Sequence, residues 1–355
     1  MFSLDVTAPS VDSLVDASPA SPVPRTRVLD VRGLSVEFDT PSGTIRPVDG
    51  VSFSVDAGRT LALVGESGSG KSLTCLSLLG VLPAGARVVS GSALFEQRDL
   101  LQLSDDEMQT LRGGRIGTVL QDPHASLDPL FTVGEQIREI VAFQQRSGRA
   151  ASKQTSIEAM RQVQIPAPEE RFNTYPHQFS GGMRQRAAIA MAVACGPSLL
   201  IADEPTTALD VTIRQQVLRL LAHLQSRNSM AMVFVTHDLH LVRYFCDDVA
   251  VMYAGRIVEQ GPVEQVFASP AHPYTASLIE AIPRLTRRRA RLTAIEGQPP
   301  SFHALPAGCR FAPRCPLAEA RCTNQPPQWT AFEQLRRGAA CWRASEMLDA
   351  SVSIA

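Results

Sequence analysis

Residues 61–72 read Leu-Ala-Leu-Val-Gly-Glu-Ser-Gly-Ser-Gly-Lys-Ser, and no other stretch restricts the fold so tightly. The apolar run 61–64 has the length and composition of a buried parallel strand. Behind it, Gly65, Gly70, Lys71 and Ser72 occupy the fixed places of G-x-x-x-x-G-K-S/T, with Glu66, Ser67, Gly68 and Ser69 between them. A helical pattern follows through Leu73, Leu76 and Leu79. In such a unit the glycines let backbone N–H groups ring a phosphate, and the helix N-terminus adds its positive end. Lys71 is placed to reach the β- and γ-phosphates, and the Ser72 hydroxyl to ligate Mg²⁺. An ordinary glycine turn would not need the complete spacing together with both flanks.

The 355 residues leave room for about two domains, and 44% hydrophobic with 19% charged residues is ordinary for a globular chain. A net charge of −1 argues against a dedicated nucleic-acid binder, so none is expected as a partner. No run of 18 or more apolar residues is present, so any membrane role must come through partners. Residues 1–27 are rich in Ser, Pro, Ala, Val and Asp and lack the pattern of a signal peptide. They read as a disordered N-terminal extension. Without export, the seven cysteines belong in a reducing compartment and are not a disulfide framework.

Along the chain, short β-like runs at 28–38 and 51–55 flank the turn chemistry of 39–43 and form an antiparallel layer before the phosphate loop. Further β-like runs lie at 88–95 and 116–120. Residues 132–179 change to helical patterns, at 132–143 and 156–163, and read as a helical insertion within about 122–180. The β/α alternation then resumes: a helix at 184–194, a strand at 198–202, a helix at 212–225, a strand at 230–236 and a hairpin at 249–259. The composition shifts to Pro, Arg and Cys from about residue 268, which marks a separate C-terminal module. The expected fold class is α/β, a phosphate-loop nucleotide domain with an antiparallel layer and a helical subdomain. No internal repeat stands out, so one nucleotide domain is expected.

Other segments gain meaning from the loop. The strand at 199–202 ends in Asp203 and Glu204. Asp203 is suited to hold Mg²⁺, and Glu204, pointing differently, to polarise the attacking water as general base. A solvated acidic turn is the plain alternative. Ser180, Gly181 and Gly182 stand just before a helix and can grip an anion, although a helix N-cap accounts for them equally well. His237 closes one strand and Gln121 another, and either can reach a γ-phosphate. Asp210 follows Ala208 and Leu209 in a loop before a helix, where an Asp N-cap is the simpler reading.

Taken together and in this order, these features resemble the ATPase subunits of ATP-binding cassette transporters. Residues 65–72 match Walker A, Gln121 the Q-loop, residues 180–185 the signature motif, 201–205 the end of Walker B, 208–210 the D-loop and His237 the switch histidine. The resemblance covers about residues 28–265. It implies RecA-like cassette architecture, ATP and Mg²⁺ as cofactors, and head-to-tail pairing with a second cassette, a paralogue or an identical copy. Ser180, Gly181 and Gly182 of one subunit then complete the site held by the other. It adds Gln121 to Ser72 and Asp203 as a Mg²⁺ contact and assigns hydrolysis to Glu204, Gln121 and His237. It matches Phe38 to the aromatic that stacks on adenine, with a core phenylalanine as the alternative.

His272-Pro273-Tyr274-Thr275 resembles the segment that follows the cassette in oligopeptide, dipeptide and nickel import ATPases. The run 308–316 agrees and extends the resemblance to about Cys341. The implied domains are an ATPase domain at 28–265, a C-terminal module at 266–345 and a tail at 346–355. Cys309, Cys315, Cys322 and Cys341 follow C-x5-C-x6-C-x18-C, without the paired spacing of common zinc ribbons. Four thiols in a small module suit a 4Fe–4S cluster, zinc or no metal. Cys75, Cys195 and Cys246 read as core residues. The basic run of Arg284, Arg287, Arg288, Arg289 and Arg291 can face anions or simply solvent.

The leading expectation is an importer ATPase on the cytoplasmic face of the inner membrane, docked on two permease subunits. A substrate-binding protein would act indirectly, and peptides, nickel or another small solute would be the cargo. The alternatives are a soluble cassette ATPase acting on ribosomes or DNA, and a small-molecule kinase. The first usually carries tandem cassettes or long coiled coils. The second leaves Ser180, Gly181, Gly182 and His237 unexplained.

Overall fold

The computed structural model describes residues 26–121, 126–207, 209–282 and 295–352. Residues 1–25 of the N-terminal extension and the arginine run beginning at Arg284 lie outside the described residues, and Arg27, expected in the extension, already belongs to the first strand. Strands β1 (Arg27–Thr40) and β2 (Gly43–Asp56) form a long hairpin, followed by β3 (Thr60–Val64), β4 (Ala86–Phe95) and β5 (Arg98–Asp99). Then come β6 (Ile116–Val119), β7 (Leu199–Asp203), β8 (Ala231–Thr236), β9 (Asp248–Tyr253) and β10 (Arg256–Pro262). The C-terminal residues add β11 (Thr330–Phe332) and β12 (Arg337–Ala339).

The strands form two sheets, one antiparallel in the order β2-β1-β4-β5 and one mostly parallel in the order β11-β12-β10-β9-β3-β8-β7-β6. Every residue of β3, β7 and β8 is buried, as continuous apolar runs covered on both faces require. Alternation then decides which core each side chain joins. Leu199, Ile201, Val233 and Val235 point into the layer shared with the antiparallel sheet, against Leu34, Phe53 and Leu63. Leu200, Ala202, Met232 and Phe234 point the other way, onto the helices.

The helical layer consists mainly of Val133–Gln145, Arg149–Gln162 and Gly181–Val193. Thr132 caps the first by accepting from the Glu135 N–H. The second begins seven residues before the apolar pattern at 156–163 suggests. Its first turns are Ala-rich and form helix by propensity, and Ser152 returns its hydroxyl to the Gly148 carbonyl at 3.1 Å.

The C-terminal residues pack directly on the nucleotide domain. β12 pairs with β10, so the main sheet simply continues, and Phe311 and Tyr274 share a core with Val64 and Val251. Arg337 and Glu259, both fully buried as side chains, form an ion pair at the join. The Glu259 carboxylate also accepts the N–H groups of Ala271 and His272 at 2.8 and 2.9 Å, which satisfies a charge that could not otherwise be buried.

Candidate active site

The phosphate loop sits between β3 and the helix Lys71–Leu78, at the C-terminal edge of the parallel strands. Gly65 (φ 154°) and Gly70 (φ 104°) are required by close approach: a Cβ would lie 2.1 Å from the Met252 carbonyl oxygen at the first and 2.4 Å from that of Pro47 at the second. Gly70 gives the helix no side-chain cap, so its first N–H groups face the loop. The Lys71 Nζ spans the loop, donating to the carbonyls of Gly65 and Glu66, both at 2.8 Å, and to the Ser69 hydroxyl at 3.3 Å. Burial lowers its pKa, against the opposing pull of the Glu204, Asp203 and Glu66 carboxylates. An ammonium so placed is desolvated and aimed at an anion.

Asp203 ends β7, and its Oδ1 is buried with no hydrogen-bond partner. Burial pushes its carboxyl up, while a hydrogen bond from the Ser72 hydroxyl and the Lys71 charge act the other way. An orphaned buried carboxylate oxygen beside a hydroxyl is the donor set a hard divalent cation takes, so these residues fit Mg²⁺.

Glu204 follows at φ 47°, a left-handed conformation unusual for this residue, while its N–H still bonds the Val235 carbonyl at 3.0 Å. That turn sends its carboxylate away from Asp203 into three contacts. His237 Nδ1 lies 3.1 Å from Oε1, and the Gln121 amide and the Thr207 hydroxyl donate to Oε2 at 3.2 and 2.8 Å. Burial alone would raise its pKa, but hydrogen bonds from His237 and Thr207 and the charges of His237 and Lys71 hold it below the usual value. The site therefore has a buried carboxylate with a free oxygen and a carboxylate held ionised one residue apart. Gln121, expected from the sequence to act in hydrolysis and on Mg²⁺, meets Glu204 through Nε2, so its amide oxygen is not used in that contact. Thr207 had no role in the sequence reading; its position three residues after Glu204 was the available signal.

Ser180, Gly181 and Gly182 start the helix Gly181–Val193, where the Ser180 hydroxyl accepts from Met183 N–H at 3.3 Å. Ser180 and Gly181 are exposed, and no hydrogen bond among the described residues links them to residues 65–72. Asp210 caps the helix Val211–Asn228 by accepting from Ile213 N–H at 2.9 Å. Phe38 is half-buried on β1 opposite Ile45, two residues along β2 from Pro47 at the loop.

All seven cysteines are free thiols. Cys309, Cys315, Cys322 and Cys341 line one small cavity with Phe311 and Trp342. Burial raises the thiol pKa of Cys309 and Cys315, and that of Cys341 to about 11. Among the described residues no group of three or more His, Cys, Asp or Glu side chains stands at metal-ligating spacing. The four thiols thus share a cavity without forming a ready metal site.

Two family models match, "ABC transporter" over residues 48–207 and "Oligopeptide/dipeptide transporter, C-terminal region" over 258–322. A probable peptide ABC transporter ATP-binding protein of Sinorhizobium fredii is 49% identical, over 91% of this chain and 96% of its own length. The oligopeptide transport ATP-binding protein of Salmonella typhimurium is 45% identical over 89% and 94%, and the dipeptide transport ATP-binding protein of Bacillus subtilis 44% identical over 92% and 97%. Among solved structures, a dimeric ATP-binding cassette bound to ADP and Pi is 27% identical with a TM-score of 0.59, covering 66% of this chain and 98% of that one. A cassette from Clostridium perfringens, part of an ABC transporter complex, is 28% identical with the same TM-score of 0.59, covering 68% and 91%.

Proposed function

The chain belongs to the ATP-binding subunits of the ABC transporters, and from that membership we propose that it hydrolyses ATP to drive import of di- or oligopeptides. The observation that carries the catalytic part is the Glu204 carboxylate, ionised and held by Gln121, His237 and Thr207 one residue beyond Asp203. Gly65, Glu66, Ser67, Gly68, Ser69, Gly70 and Lys71 cradle the phosphates, with Phe38 against the adenine. Mg²⁺ would be held by Ser72 and Asp203, with Gln121, and would neutralise charge on the phosphates. Glu204 takes a proton from the attacking water, and His237 and Gln121 fix the base and contact the γ-phosphate.

Ser180 and Gly181 are exposed, which suits completion of a neighbouring subunit's site, with Asp210 at the same seam. The active unit is then a dimer with a second cassette, as in the dimeric cassette bound to ADP and Pi. No helix among the described residues is long and apolar enough to cross a membrane. Transport therefore needs permease subunits, with this chain on their cytoplasmic face. Leu130, Phe131 and Phe143, large apolar side chains left exposed at the helical layer after Gln121, are the surface offered to them. The peptide assignment rests on the relatives' names and on the C-terminal match at 258–322. The proposed domain bounds are 28–265 for the ATPase and 266–345 for the C-terminal module.

An iron–sulfur cluster on Cys309, Cys315, Cys322 and Cys341 is the finer part of this proposal; their common cavity supports it, and the thiols would have to close up from their present spacing to ligate. Purification from membranes tests the function: the chain should come out with two hydrophobic subunits, and peptide with its binding protein should stimulate hydrolysis. Recovery on ribosomes without hydrophobic subunits would favour the soluble alternative.

A further inference from the structure

The phosphate loop is braced from outside by the C-terminal residues. Inside the loop, the Glu66 carbonyl accepts from Lys71 Nζ at 2.8 Å and from the Ser69 N–H at 3.2 Å. Outside it, the Glu66 N–H donates to the Tyr274 hydroxyl at 3.0 Å, and its carboxylate takes both arms of Arg314, Nη1 at 2.9 Å and Nη2 at 3.1 Å. Arg314 has a side chain only 6% exposed, and its remaining donors are committed. Nη1 also reaches the Tyr253 hydroxyl at 3.2 Å, Nε the Glu296 carbonyl at 2.9 Å and Nη2 the Ile295 carbonyl at 3.3 Å. Tyr253 and Tyr274 pack at 4.5 Å between ring centroids, and Phe311 lies 5.3 Å from each, so the guanidinium sits on a fixed aromatic base.

The far end of the loop is tied by the same segment. Ser69 accepts from the Gly255 N–H at 2.9 Å, and Arg310 holds that turn by donating to the Ala254 carbonyl while pairing with Asp49. Arg310 and Arg314 both fall between Cys309 and Cys315.

We propose that Arg314 is a positioning residue for nucleotide binding, which makes the C-terminal module part of the ATP site. Its bidentate grip fixes Glu66, and with it the loop carbonyl that anchors Lys71. Its charge also offsets a carboxylate whose field reaches Lys71 and would otherwise oppose an incoming anion. Both effects act on binding, before any chemistry. This inference rests on the ATP reading above.

The test is titration of the full chain with a fluorescent ATP analogue and Mg²⁺, alongside steady-state hydrolysis. Arg314→Ala should weaken the dissociation constant roughly tenfold, the value of one charge-assisted hydrogen bond, and raise KM while kcat stays within about twofold. Adding Glu66→Gln to Arg314→Ala should recover about threefold or more of that affinity, because the uncompensated charge is gone. A purely structural loss would not be rescued. Should Arg314→Ala fail to fold, Arg314→Lys keeps charge and volume without the fork, and is expected to lose about threefold in affinity. Wild-type affinity in Arg314→Ala, or in Arg314→Lys where only that variant folds, overturns the proposal, as does a further loss in the double variant. Failure of the unaltered chain to bind ATP would instead overturn the ATP reading itself.

Discussion

Glu204→Gln isolates the chemical step. The amide keeps the size of the side chain, tolerates the same φ of 47° no worse, and can still accept the Thr207 hydroxyl that now lies 2.8 Å away. What it loses is the ability to take a proton. General-base catalysis contributes about 10² to 10⁴ in rate, so turnover should fall by at least about 100-fold. Binding should survive, because the Lys71 bonds that shape the loop run to Gly65, Glu66 and Ser69 and none to Glu204. Removing one carboxylate near Lys71 takes negative charge from the phosphate region, which favours the anion slightly. The assay is phosphate release at saturating ATP, with gel filtration in the presence of ATP and Mg²⁺. Loss of turnover with retained nucleotide and a persistent dimer is expected. Hydrolysis above about a tenth of the wild-type rate would refute Glu204 as the base, since no general-base contribution is that small. The pH dependence has a defined sign. With its carboxyl below the usual 4.5, Glu204 stays ionised as pH falls from 7 towards 5, so it imposes no acid limb in that range.

His272 supplies a stability prediction. Its ring is buried, pushed down to about 3 from 6.5 by burial, and its Nδ1 caps the helix Pro273–Glu280 by accepting from the Tyr274 N–H at 3.0 Å. The unfolded ring takes up a proton below about pH 6.5 and the folded ring does not, so stability falls with acid by up to about 1.4 kcal/mol per pH unit from 6.5 towards 3. His272→Asn keeps a capping acceptor without the titration, and its urea midpoint should vary less between pH 6.5 and 5; equal slopes would contradict this. For the C-terminal thiols, anaerobic purification should give iron and sulfide with a brown absorbance that Cys315→Ser abolishes; stoichiometric zinc in a colourless protein would remove the cluster from the account.

The nucleotide loop was legible because its chemistry is contiguous: Gly65, Gly70, Lys71 and Ser72 carry the backbone demand and the charge in one stretch. The strands at 199–203 and 231–236 were legible because burial on both faces writes an unbroken apolar run. Gln121, Glu204 and His237 were legible as strand ends, and the parallel order β8-β7-β6 is what brings those ends together. Contacts made at long sequence separation were not. Arg314 lies 248 residues from Glu66, and nothing in the local pattern of residues 309–315 points to a phosphate loop. The strands β11 and β12 are three residues each, too short for alternation to show, so their addition to the main sheet could not be read from the sequence. In the core shared by the C-terminal segment, Tyr274 and Phe311 join Val64 and Val251, an arrangement composition cannot express.

The central claim is that hydrolysis at Glu204 powers peptide movement across a membrane through permease subunits. Uptake of a labelled oligopeptide into vesicles holding the permease pair and both cassettes measures it directly, with the binding protein outside and ATP inside. Accumulation that requires ATP and disappears with Glu204→Gln is the expected result. ATP-independent accumulation, or none for peptides while another solute is taken up, would contradict it.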